Sequence, residues 1–469
     1  MADRSAGTLD GADRTGTPDR SAERCSIAAM APRRADGSNR VVITGMGAVS
    51  PAGKGVPILW EKLMAKECCL GSLSRFDATG FEVGVAGQIP DYDANEQGFT
   101  KKEARRLARF VQYAILAADE AMAQSGLGTA NQGSTEAKEA PTPYPVDSTR
   151  IGCFFGSGIG GLEEFERGCN TLATQGPKRL NPLFIPTMIS NMAAGALAIR
   201  YGLRGECIEV VTACASGAHN IGAAYRSIKH GYLDAALAGG TEESITPVCM
   251  AGFSNLGALS KSADPREASL PFDVRRNGFV AGEGAGAVVL ESLDHALARG
   301  ATILAEVAGF GSTGDAFHIT APEPSGEGLV RAMRQALDEA GCSPDDIGHV
   351  NAHGTATPLN DRTEAAALAA LCGEAVKEVP VVSVKGAIGH TLGAAGALEA
   401  IICALSVAQG VVPATVGFQM PDPECPVRVL TAPLFGHRQK VALSNSLGFG
   451  GHNATLAIMP WACGEGEAS

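Results

Sequence analysis

Cys214 stands in the run Val210-Val211-Thr212-Ala213-Cys214-Ala215-Ser216-Gly217, where small neighbours would let a substrate carbonyl approach a thiol. The mostly apolar run Ile208 to Val211, broken only by Glu209, predicts a buried strand. Ile221, Tyr225 and Ile228 share one face of a predicted helix over 219–230, and Gly231 is its stop signal. The cysteine would then lie at a tight strand-to-helix junction. Backbone N–H groups at a helix N-terminus favour negative charge, so this junction predicts a lowered thiol pKa and a thiolate nucleophile. A single cysteine is by default a small buried hydrophobe. Other features of the chain reverse that default.

Two histidine motifs follow. The first, Asn351-Ala352-His353-Gly354-Thr355-Ala356-Thr357, comes after the strand-like Ile347 to Val350. The second runs from Val382 to Gly396 through Lys385 and Gly389-His390-Thr391-Leu392-Gly393, again a strand entering a glycine-rich helix start. A lone histidine is more often structural than catalytic. Two at strand ends, with a lysine five positions before the second, fit a site that stabilises an oxyanion near a nucleophilic cysteine.

The settings of Cys214, His353, Lys385 and His390, with the run Asn445-Ser446-Leu447-Gly448-Phe449-Gly450-Gly451, resemble the β-ketoacyl-acyl carrier protein synthases over roughly residues 40–460. The Cys-His-His set is similar to the elongating, type II branch; the initiating branch has asparagine for the second histidine. The resemblance implies a thiolase-like, duplicated five-layer α-β-α-β-α fold, usually a homodimer. It implies no bound cofactor and no metal, because substrates arrive on the phosphopantetheine arm of acyl carrier protein. Cys214 would take the acyl group, malonyl-carrier would lose carbon dioxide, and the carbanion would attack the acyl-cysteine. The backbone N–H groups of Cys214 and Phe449 would form the oxyanion hole, and His353 and His390 would donate hydrogen bonds to the enolate. Lys385 would hold a histidine or tune the local potential, with a structural ion pair as its plainer role. Thr355 and Thr357 would bind the pantetheine amides. Ile159 and Phe253 match positions that line or gate the acyl tunnel, and Phe449 would be a second gate. Glu399, on an apolar helix, reads as a structural carboxylate. His452 departs from the pattern, since relatives often carry threonine there.

Predicted strands that would position these residues are Val41–Thr44, Ile151–Phe155, Ile208–Val211, Ala235–Ala238 and Ala287–Leu290 in one half. The other half has Ile303–Val307, His349–Ala352, Val379–Val384, Val441–Ser444 and Ala454–Ile458. Helical segments between them imply parallel βαβ units. The expected organisation is a disordered extension over 1–38, an N-terminal half over 39–295 carrying Cys214, and a C-terminal half over 296–462 carrying both histidines. A polar insert near 127–147 reads as a surface loop.

Composition narrows the class. A formal charge of −12 argues against nucleic-acid binding. Thirteen scattered cysteines without a C-x-x-C pair suit a reducing cytoplasm. The acidic residues among the arginines of the first 38 positions disfavour organellar import, and a signal peptide's apolar core is missing. The longest apolar run, Gly396 to Val412, is broken by Glu399 and Gln409, so no membrane insertion is expected. Within this acidic chain Lys101, Lys102, Arg105, Arg106 and Arg109 open a predicted helix, a basic face suited to docking acidic acyl carrier protein or simply to solvation. A polyketide ketosynthase would share every catalytic residue. A non-catalytic chain-length partner subunit would lack Cys214, and a degradative thiolase would need a second reactive cysteine that the Asn445–Gly451 turn does not contain.

Overall fold

The computed structural model describes residues 33–90, 92–128 and 146–461. The expectations for residues 1–32 and for 129–145 of the insert lie outside the described residues.

Each predicted strand has a counterpart. The first half holds β1 (Val41–Ser50), β2 (Ile151–Gly156), β3 (Cys207–Ile208), β4 (Ala235–Glu242) and β5 (Gly284–Ser292). The second holds β6 (Ala305–Gly314), β7 (Ile347–Asn351), β8 (Pro380–Val382), β9 (Val441–Gly448) and β10 (His452–Pro460). The spatial order is β3-β2-β4-β5-β1 in one half and β8-β7-β9-β10-β6 in the other. Both orders read third, second, fourth, fifth, first. This duplication has no residue-level repeat behind it. The halves join where β1 pairs antiparallel with β6 through Val41–Ile43 and Ala305–Val307.

The strand expectations need two corrections. Only Cys207–Ile208 of the run before Cys214 is a strand, paired in parallel with β2 at Cys153 and Phe154, and it is exposed, not buried as expected, as is Val211. From Glu209 the chain leaves the sheet, and Val210 is instead held by both ends of the Asn220 amide at 3.0 Å. The sheet is also mixed, not purely parallel. β2 runs parallel to β3 and β4, and β7 to β8 and β9, while β5 and β10 are antiparallel to their neighbours. Between β9 and β10 only Phe449–Gly451 intervene, too few residues for a parallel crossover.

Helices complete five layers. α2 (Arg109–Ser125) and α4 (Met192–Tyr201), with α3 (Leu162–Gln175) between them in the chain, pack on one half-sheet, while α6 (Glu327–Ala340) packs on the other with α7 (Pro358–Cys372) beside it; α3 itself is not part of that packing. Between the half-sheets lie α5 (Ser216–Lys229) and α8 (Ala395–Gln409), which touch each other and strands of both halves. The stretch Leu392–Gln409 is apolar and long enough to cross a membrane, but it is 83% buried inside this central layer. Leu398, Ile401 and Ile402 are all at or below 1% exposed, each contributing roughly 1.5–3 kcal/mol. Glycine makes the layer possible. A Cβ on Gly240 or Gly217 would stand 2.2 or 2.8 Å from the Gly393 carbonyl oxygen, so a valine at either position would force the central helices apart.

Candidate active site

Cys214 lies in a single 3₁₀ turn, Ala213–Ala215, that runs straight into α5. Ala213 takes φ 50°, a left-handed conformation costly for a residue with a Cβ. The Ser216 hydroxyl donates to the Ala213 carbonyl at 2.7 Å and accepts the Thr212 N–H at 2.9 Å, which closes the elbow. The Gly448–Phe449 turn packs on it so tightly that a Cβ on Gly448 would stand 2.3 Å from the Thr212 oxygen. As a result the backbone N–H groups of Cys214 and Phe449 both face the sulfur. These are the two groups expected to form an oxyanion hole.

The expected thiolate is not what the site favours. Burial pushes the Cys214 thiol up to about 12, the negative charge of Glu242 adds to this, and Lys385 with the two N–H groups only partly opposes it. A rise from 9.0 to about 12 corresponds to about 4 kcal/mol. A helix N-terminus supplies typically 0.3–1 and at most about 2 kcal/mol, so desolvation wins.

His353 follows β7, and His390 precedes the 3₁₀ turn Leu392–Ala394 that opens α8. Their rings meet edge to face with centroids 5.2 Å apart. Nδ1 of His390 accepts the Leu392 N–H at 3.3 Å, and Nδ1 of His353 faces the Lys385 ammonium at 3.5 Å. Both contacts place the ring proton on Nε2. Burial first, then the positive charge of Lys385, holds both imidazoles well below the usual 6.5, so they are neutral Nε2–H donors at physiological pH.

Lys385 is 1% exposed and donates to the carboxylate of Glu399, likewise 1% exposed. Burial pushes Glu399 up to about 7 against the pull of Lys385. The lysine therefore has both roles weighed from the sequence: it is ion-paired, and it fixes the His353 tautomer.

A cavity of about 290 Å³ is lined by Cys214, His353, His390, Phe449, Phe253, Thr355, Thr357 and His452. Thr355 and Thr357 hydrogen-bond each other through their hydroxyls at 2.9 Å. Phe253 stands 6.4 Å from Phe449 and 5.2 Å from Phe279, which in turn meets His390 at 5.3 Å. This aromatic wall joins Met250, Leu259 and Leu392 in an apolar cluster against Cys214. The ring of His452 rests on Gly450, where a Cβ would meet its Nε2 at 3.0 Å. Lys385 is behind the cavity wall, not in its lining. Ile159 is also outside the lining and is 39% exposed.

The basic helix is a further correction. It is two helices: α1 (Lys101–Arg106), opened by a Thr100–Glu103 capping box, and α2 from Arg109, with Leu107 extended between them. Lys101, Lys102 and Arg105 are exposed, and Arg106 is half-buried. Arg109 is committed elsewhere, 3.3 Å from Glu163 and 5.7 Å over the Tyr92 ring.

Sequence reasoning missed the buried carboxylates that hold the site. Glu364, on α7, accepts the N–H groups of His353 at 2.9 Å and Gly354 at 2.8 Å, and the Asn445 amide at 3.3 Å. Burial pushes it up to about 7. Glu242, at the end of β4, accepts from Ser157, Gly158 and Gly393. Neither glutamate sits in a run with a chemical signature, although their partners His353, Gly354, Gly393 and Asn445 do.

A cysteine in an oxyanion cradle opposite two neutral imidazoles, on a duplicated five-layer fold, defines a carbon–carbon condensing acyltransferase. Residues 38–296 match the beta-ketoacyl synthase N-terminal domain and residues 304–419 its C-terminal domain. The chain belongs to the beta-ketoacyl synthase family. It is 45% identical over 421 residues to a 3-oxoacyl-[acyl-carrier-protein] synthase 2 of Staphylococcus aureus, covering 90% of this chain and 98% of the relative. A protein of the same name from Synechocystis is 42% identical over 420 residues, covering 89% and 97%. Among solved structures, a beta-ketoacyl synthase from Burkholderia phymatum aligns at TM-score 0.80 and 32% identity, covering 90% of this chain and 99% of that one. A ketosynthase structure with a type II PKS acyl-carrier protein aligns at TM-score 0.80 and 30% identity, covering 90% and 99%.

Proposed function

We propose that the protein catalyses the decarboxylating condensation of malonyl-acyl carrier protein with an acyl chain held on Cys214, giving a 3-oxoacyl-carrier two carbons longer in fatty acid elongation. The observation that carries this reading is the placement of Cys214, His353 and His390 around one cavity with opposite chemical preferences. The cysteine side offers two backbone N–H groups to a thioester oxygen, and the histidine side offers two Nε2–H groups to another.

In the first half-reaction the sulfur attacks the incoming thioester carbon while its proton leaves to the departing pantetheine thiol. The tetrahedral oxyanion forms against the N–H groups of Cys214 and Phe449. In the second, the C–C bond to the malonyl carboxylate breaks, carbon dioxide leaves, and the electron pair moves onto the thioester oxygen. Neutral Nε2–H donors stabilise that enolate without having stabilised the malonyl carboxylate as a cation would. The enolate carbon then attacks the acyl carbon, Cys214 leaves as the thiolate, and a proton taken up from solvent restores the thiol. The apolar cluster of Phe253, Phe279, Met250 and Leu392 suits an acyl chain.

Acyl carrier protein is the partner this reading requires, with Lys101, Lys102, Arg105 and Arg106 as its docking face. Exposed Ile159, Phe165, Leu172 and Ile185 support a homodimer, because apolar side chains concentrated in one segment favour a second copy. Ile159 would then meet the acyl tunnel from that interface. Free cysteines throughout the described residues agree with a cytoplasmic setting. Incubation with acyl-carrier protein should add the acyl mass to Cys214, and malonyl-carrier should then discharge it as the 3-oxo product. No adduct on Cys214 would refute the reading. The ketosynthase neighbours from polyketide assemblies keep one alternative in view: products elongated repeatedly without reduction would favour it.

A further inference from the structure

Glu242 is fully buried, and among the described residues it has no ion-pair partner. Three donors converge on it instead. One oxygen accepts the Ser157 hydroxyl at 2.6 Å, and the other accepts the N–H groups of Gly158 at 2.9 Å and Gly393 at 3.0 Å. The Ser157 hydroxyl oxygen accepts the Gly160 N–H at 2.8 Å, so the whole Ser157–Gly160 loop is wound around this carboxylate. That loop backs the nucleophile elbow: a Cβ on Gly158 would lie 3.2 Å from the Ala213 carbonyl oxygen. Gly393 belongs to the other half of the molecule. It is the residue after Leu392, whose own N–H fixes the His390 tautomer and whose φ is 45°.

We propose that Glu242 is a positioning residue for condensation, its ionised carboxylate tying the loop behind Cys214 to the turn that sets His390, so that the acylation and decarboxylation sides of the site share one anchor. This rests on the condensing function proposed above. The place suits an ionised carboxylate, because the two backbone N–H groups can only donate and the Ser157 hydroxyl, which already receives the Gly160 N–H, is set to donate as well. Its charge adds to the burial that already raises the Cys214 thiol.

The charge is vulnerable. Burial pushes Glu242 up to about 7, against the pull of its hydrogen bonds. Facing it are the thiols of Cys214 and Cys249, both pushed up by burial and further by its charge, with Glu209 beyond Ser157 and His390 beyond Leu392. Because its folded pKa lies above the free value of 4.5, acidification from pH 7 to 4.5 favours the fold at this group while it releases the clamp. Across that window the activity that depends on Glu242 should fall while its own share of stability rises, read as the difference between wild type and Glu242→Gln. A residue that only supported the fold would move both together.

The test is Glu242→Gln, with Cys214 acylation and carbon dioxide release from malonyl-carrier measured separately on wild type and variant. A misplacement near 1 Å costs about a hundredfold, so both steps should fall about tenfold to a hundredfold in rate with KM for the carrier thioester unchanged. The thermal midpoint should hold, the acidic limb near pH 7 should flatten, and Glu242→Asp should restore part of the rate. Loss of only one step, or of neither, overturns the proposal. If Glu242→Gln does not fold, Ser157→Ala removes one donor and leaves the carboxylate. It should lower both steps about twofold to tenfold, and unchanged rates there overturn the proposal too. Failure of the wild type to acylate or to release carbon dioxide would instead refute the proposed function itself.

Discussion

The start of α5 and the start of α8 are built alike. Each opens with one 3₁₀ turn, Ala213–Ala215 or Leu392–Ala394, and each turn begins on a non-glycine residue in the left-handed region, at φ 50° and 45°. Each follows the third strand of its half and enters the central layer beside the other. What differs is the side chain presented. The first turn carries Cys214 at its middle position, where the second has Gly393. The second spends its leading N–H on His390 just before it, and its Gly393 N–H on Glu242 from the opposite half. One backbone device occurs twice, and the side chains differ: a thiol in the first turn and a neutral imidazole just before the second, which under the proposed function divide nucleophile from proton donor.

Breaking the nucleophile side should have the largest effect. Cys214→Ala should abolish elongation, measured as 3-oxoacyl-carrier formed, while the unfolding midpoint stays near wild type because alanine fits the elbow. On the other side, His353→Ala and His390→Ala should each slow carbon dioxide release about a hundredfold to a thousandfold, the cost of one oxyanion donor. Acylation of Cys214, followed by mass spectrometry, should change far less.

These residues were legible because each sits in a contiguous run at a strand end, where short-range sequence dictates the turn. Glu242 and Glu364 were not, because their roles arise only where three or more distant backbone segments converge. The strand before Cys214 was overextended for a related reason: Val210 and Val211 have strand character, but the Asn220 side chain captures the backbone first. The acidity of Cys214 was misjudged because the helix-terminus effect is visible in a sequence and the larger desolvation is not.

The histidine side also has a pH signature. Both imidazoles are held below 6.5 in the fold, so the unfolded chain binds protons first as pH falls. Their share of stability is full above about pH 6.5 and is lost below it. The buried glutamates Glu242, Glu243, Glu364 and Glu399, all pushed up by burial, act in the opposite sense, so the readout is a difference: from pH 8 to 5 the denaturant midpoint of His353→Ala should gain on that of wild type. Lys385→Met should sharpen the comparison from between the two sides. It leaves Glu399 buried without its partner, a loss of up to about 3–5 kcal/mol if Glu399 stays ionised. It should also slow acylation, since Lys385 lowers the Cys214 thiol. The smallest effect belongs to the surface. Reversing Lys102, Arg105 and Arg106 to glutamate should raise KM for acyl-carrier protein and spare small pantetheine thioesters, with the difference shrinking as salt screens over about 10 Å.

The division of labour is tested most directly by a crossed measurement on Cys214→Ala and His390→Ala. Carbon dioxide release from malonyl-carrier and acyl transfer to the enzyme are followed in the same preparations. Cys214→Ala should still release carbon dioxide while accepting no acyl group, and His390→Ala should accept the acyl group while releasing almost none. If each variant lost both activities in equal measure, the two helix starts would form one indivisible unit, and the account of a divided site would be wrong.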